Sequence, residues 1–158
     1  MQFVLHPTHQ EIAFHGIIYI CIHSQSMNLK ESFTETLHLT FDEKILTCIL
    51  IGDVEIDVHH VEADFEAAKK LTEGKKYLSL VLASKHTSIT PAAQKRSMAK
   101  EKYEHVVAQA IVVKSLAQRI LGNFMIKFIK YPMPCELFTS KEKAVQWLNK
   151  EWDKPVKK

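Results

Sequence analysis

The residues of this chain best placed to meet a charged ligand are Lys85, Thr87, Ser88 and Thr90 in one loop and Lys114 and Ser115 in another. Each group follows an apolar run that reads as a strand, and each leads into a helical pattern. Lysine ammonium groups, hydroxyls and the amides of helix N-termini together favour anions. The chemistry they could do is capture of a small anionic ligand. The same residues also have a plainer use. Thr90 before Pro91 is an N-cap followed by proline at the first helical position, and Ser115 with Gln118 has the form of a capping box.

Other chemistries are poorly supplied. His6 and His9 have a metal-like spacing, and so, loosely, does the His59-His60 pair. No carboxylate or cysteine falls at ligand spacing beside them, so they read as surface histidines and no metal or cofactor is expected. Cys21, Cys48 and Cys135 make an odd count without metal spacing. The latter two sit in apolar runs and read as buried free thiols in a reducing compartment. Ser115 lies at a strand-to-helix turn but lacks the Gly-x-Ser-x-Gly elbow of a nucleophile. The chain has only four glycines, scattered, which leaves no glycine-rich phosphate loop. No catalytic constellation emerges.

The elements that must position these residues are legible from periodicity. Leu37, Leu39 and Phe41 alternate with polar residues, Asp42-Glu43-Lys44 breaks the run, and Ile45–Ile51 is nearly all apolar, which predicts a hairpin feeding a central strand. Asp57 is the expected N-cap of a helix with Val58, Val61, Phe65, Ala68 and Leu71 on one face and Gly74 as its stop. Tyr77–Ala83 is the next strand, and Pro91–Tyr103 a helix with a thin apolar face. His105–Val113 reads as a strand covered on both faces. A helix from Ser115 to about Ile129 follows, stopped by Pro132 and Pro134. Cys135–Phe138 is a short strand, and Thr139 with Glu142 predicts a capping box for a final helix ending near Trp152. The order β-β-α-β-α-β-α-β-α makes an α/β domain with a mostly parallel mixed sheet and an N-terminal antiparallel hairpin. Residues 1–32 read as an appendage, 33–152 as the domain and 153–158 as a polar tail.

That order, with these lengths, resembles the STAS domain, the fold of anti-sigma-factor antagonists and of the cytoplasmic part of sulfate transporters. The closer likeness is to a group of short bacterial STAS-like proteins. It rests on Ser115, Arg119, Gly122, Asn123 and Phe124, then Pro134, Phe138 and Thr139, then Ala144, Trp147 and Leu148, and covers about residues 36–151. The resemblance implies a non-enzymatic regulatory or protein-interaction module. In antagonist-type STAS domains an Asp-Ser pair precedes the second helix, and its serine is phosphorylated. The matching positions here are Thr90 and Pro91, so the usual phosphorylatable serine is missing and Thr90 is expected to act as a cap.

Composition bounds the partners. A net charge of +3 over 158 residues, with lysines interleaved with glutamates, does not mark a nucleic-acid binder. No apolar run approaches the roughly 20 residues of a membrane helix, so no membrane insertion is expected and a cytoplasmic location is. The helix after Ser115 is apolar beyond one stripe, which leaves Met125, Ile126 and Met133 as candidate contacts of a homodimer, with Gly122 allowing close approach. An unidentified protein partner completes the expectations.

Overall fold

A computed structural model describes residues 29–84, 88–115, 119–120, 122 and 131–154. Its centre is a six-stranded mixed sheet in the order β1-β2-β3-β5-β7-β8. β1 (Lys30–Phe33), β2 (Leu37–Phe41) and β3 (Ile45–Leu50) form an antiparallel meander. β5 (Tyr77–Leu82), β7 (Val106–Val112) and β8 (Cys135–Phe138) then add in parallel to β3. The hairpin, the parallel strands and their order are those the periodicity predicts. Lys30, Glu31 and Ser32, read from the sequence as the end of an appendage, belong to the sheet instead. The run Lys-Glu-Ser-Phe has no apolar alternation to betray it. Its register against β2, with Phe33 opposite His38, comes from the turn between them, where Thr34 N–H donates to Leu37 C=O at 2.9 Å.

Each face of the sheet carries a helix. On one side Leu39, Phe41, Leu46 and Cys48 pack against Ala68 and Leu71 of α1 (Val58–Thr72). On the other, Leu78, Leu80, Ala108 and Ala110 pack against Ala144 and Leu148 of α3 (Lys141–Trp152). Ala108, Ala110 and Ala144 are all fully buried, and their small side chains let α3 lie close to the strands. α3 lies over β5, β7 and β8, and Ile45 at the start of β3 packs against the same core.

Local signals fix the helix ends. Asp57 is the N-cap of α1, and the chain leaves that helix through left-handed Glu73 and Gly74, with φ of 52° and 70°. Thr90 caps α2 (Pro91–Ser97), its hydroxyl accepting the Ala93 N–H at 3.2 Å. The helix expected to reach Tyr103 stops at Ser97 and resumes as a 3-10 turn over Lys100–Tyr103. Arg96 and Lys102 both hold Glu62 of α1, and Lys102 lies 4.2 Å over the Phe65 ring, which ties this thinly apolar stretch down. α3 is capped by Ser140 rather than Thr139. Both hydroxyls fit the pattern, but only Ser140 reaches Lys143 N–H once β8 has ended at Phe138.

Candidate functional site

The carboxyl ends of the parallel strands meet in an open cleft of about 460 Å³. Ile49 and Leu50 reach it from β3, Leu82, Ala83 and Ser84 from β5, and Val112 and Lys114 from β7. Lys141, the first residue of α3, supplies the last wall. Ile49 pairs with Leu82 and Leu82 with Val112, so one rung across three strands forms an aliphatic strip beside the N-terminus of α3. The described lining residues include two lysines and no carboxylate. In open α/β sheets this edge is where ligands collect, because the connecting loops diverge there. The arrangement offers apolar contact, two ammonium groups, and the positive end of a helix held by Ser140.

Of the described residues singled out from sequence, only Lys114 lines this cleft. Ser115 is half-buried, and its carbonyl accepts the Arg119 N–H at 3.1 Å, the first bond of a helical turn. Ser88 and Thr90 stand elsewhere. Ser88 lies in the two-residue strand β6 (Ser88–Ile89), which pairs in parallel with β4 (Glu55–Ile56) and brings Thr90 beside Asp57. Lys85, Thr87, Met125 and Ile126 lie outside the described residues. Met133 is half-buried against the α1-side core, and Gly122 lies against Leu137 of β8. Lys141 joins the cleft from further along the chain, because β8 pairs in parallel with β7 and returns it to the same edge before α3 begins.

A second cluster sits at the N-terminus of α1. The possible ligand atoms of Glu35, His59 and His60 all lie within 4.8 Å of one another. Sequence spacing could not show this, since Glu35 is 25 residues from His60. His59 is exposed, but the His60 side chain is only 11 % accessible and is not the surface histidine expected. Its Nδ1 accepts the Asp57 N–H at 3.0 Å, the reciprocal half of a capping box, and its Nε2 faces Glu35 Oε2 at 3.2 Å. A ring flip would set a carbon against the amide, so the donor fixes the ring. Nδ1 thus holds the lone pair and Nε2 the proton. A metal-bound imidazole needs the reverse, a lone pair on the metal side and an N–H outward. The cluster is a clamp between the β1–β2 turn and α1. Asp64 reinforces it, accepting the hydroxyls of Thr34 and Thr36. Burial raises the Asp64 pKa, an effect that those hydroxyls oppose.

Neither of the two described thiols is a ready nucleophile. Cys48 is buried and Cys135 half-buried, and burial pushes both pKa values up to about 12. No helix among the described residues is long and apolar enough to cross a membrane.

No curated protein and no solved structure matches the chain. Residues 39–151, from the second strand of the sheet to the last turn of α3, match the model of a domain of unknown function, DUF7793, and the chain belongs to that family.

Proposed function

We propose that this domain is a non-enzymatic regulatory module of STAS-like type whose recognition site, for a small anionic ligand, is the cleft at the carboxyl ends of β3, β5 and β7. The observation that carries the reading is that Lys114 and Lys141 line one cleft whose described lining holds no carboxylate. Two ammonium groups in one concave, partly apolar setting attract an anion more strongly than the same charges on an open surface. The thiols, held protonated, and the histidine clamp support a binding role over a catalytic one.

Thermal melts with inorganic phosphate test this. A ligand that binds only the native state raises the melting temperature with its concentration. The rise is expected in the wild type and not in Lys141→Glu, which puts a negative charge at the mouth. An equal rise in both proteins, or none in either, overturns the reading.

A protein-interaction role is a second reading, favoured by three exposed isoleucines. Ile51, Ile89 and Ile120 are 37 %, 39 % and 64 % accessible, and each follows a different parallel strand, β3, β5 or β7, in the chain. Capture of a partner from the native host that Lys141→Glu leaves intact and Ile51→Asp abolishes would favour this reading over the anion site.

A further inference from the structure

Resting on that anion site, we infer that its ligand is an amphipathic aliphatic anion, a carboxylate or phosphate head on a short saturated chain, rather than a nucleotide or inorganic ion. The floor of the cleft is the rung Ile49–Leu82–Val112, aliphatic across three adjacent strands, with Ala83 beside it. Among the described lining residues there is no aromatic ring on which a nucleobase could stack. Among the described lining residues Ser84 is the only neutral polar side chain, too few for the edge of a base or the hydroxyls of a sugar. Both cations are lysines, point charges suited to a single anionic head, not the guanidinium forks that grip a chain of phosphates. The apolar strip and the charges lie side by side. Lys141 opens α3 directly after its Ser140 cap, while Ile49 lies on β3, two strands across the sheet from Val112 of β7. A head held at Lys114 and Lys141 therefore lets its chain lie along the rung toward β3. Two strand spacings come to about 10 Å, the reach of a chain of about eight carbons.

Calorimetric titration of the full chain with butanoate, hexanoate, octanoate and decanoate, beside inorganic phosphate, decides the matter. Each methylene that leaves water should tighten the dissociation constant about fourfold, levelling off near octanoate. Ile49→Thr, which keeps the β-branch, should flatten that dependence, and Lys141→Glu should abolish binding, with circular dichroism confirming that both remain folded. If phosphate and octanoate bind equally and chain length has no effect, the aliphatic class is wrong while the anion site stands. If no anion binds, the inference and the reading beneath it both fall. Chain-length-dependent binding that survives Lys141→Glu also overturns the inference, because it would mark non-specific adsorption.

Discussion

The Thr90 hydroxyl donates to Asp57 Oδ1 at 3.3 Å, so the N-caps of α1 and α2 are joined to each other. The two-residue parallel pair β4–β6 sets this up, with Thr90 N–H donating to Ile56 C=O at 3.0 Å just before the caps meet. Thr90 thus works in two directions: it accepts from Ala93 inside its own helix and donates to the cap of the neighbouring one. A phosphate on Thr90 could still accept at the helix N-terminus but would lose the donor role, and it would stand against the Asp57 carboxylate, which the Val58 N–H holds ionised below the ordinary aspartate range.

Thr90→Ala should therefore cost about 1 kcal/mol in denaturant unfolding, the usual loss for a removed cap. Thr90→Asp is the sharper test. Taken alone, aspartate is as good a cap as threonine. Beside Asp57 it makes a like-charge pair, so at neutral pH Thr90→Asp should be less stable than Thr90→Asn. The gap should narrow as pH falls and one carboxylate takes up a proton. Equal stability of the two variants across pH would show that the two caps do not interact.

Gly122 gives a change of sign. A Cβ at this position would lie 2.7 Å from Leu137 Cδ1, closer than real contacts come, so the leucine must turn aside. Gly122→Ala in the wild type should be neutral or destabilising, because overpacking opposes the helical gain. In a Leu137→Ala background the obstruction is gone, and the same substitution should stabilise by up to about 1 kcal/mol. Measuring the four proteins as a double-mutant cycle checks this. Additive effects would mean that the contact carries no energy.

Asp64 is predicted to set a pH dependence of its own. Burial raises its folded pKa above the ordinary 3.8, so between the unfolded and folded values the native state holds more proton than the unfolded one. The contribution of this group to stability is full below the unfolded value and is lost as pH rises through the folded one. Asp64→Asn, whose amide oxygen still takes one hydroxyl, lacks that term. Wild type should gain stability relative to Asp64→Asn as pH falls through this window, read from urea midpoints at several pH values. Asp64→Ala should cost about 1–3 kcal/mol, because the Thr36 hydroxyl, 1 % accessible, would be left without an acceptor.

What the sequence disclosed is divided by range. β2 and β3 were legible because Leu37, Leu39 and Phe41 alternate and Ile45–Leu50 does not. The α1 and α2 caps were legible because Asp57 and Thr90-Pro91 act within one turn. β1 was hidden because Lys30–Phe33 gains its place from pairing with β2. Half of the candidate site could be read, since Lys114 ends a strand and its loop faces the right edge. The other half could not be seen directly: Lys141 joins it only because β8 pairs in parallel with β7 and returns the chain to the same edge. The Glu35–His60 contact was invisible for the same reason, since nothing local links a turn between two strands to the third residue of a helix.

The central claim is that the cleft at the strand carboxyl ends, and no other place on the domain, takes up an anion. Amide chemical-shift mapping of the labelled protein during titration with octanoate tests it most directly. The account predicts saturable shifts concentrated at Leu50, Ala83, Ser84, Lys114 and Lys141, with His59, His60 and Thr90 unmoved. Shifts centred on the Glu35–His59–His60 clamp or on the Thr90 cap, or none at the cleft while ligand is in excess, would contradict it.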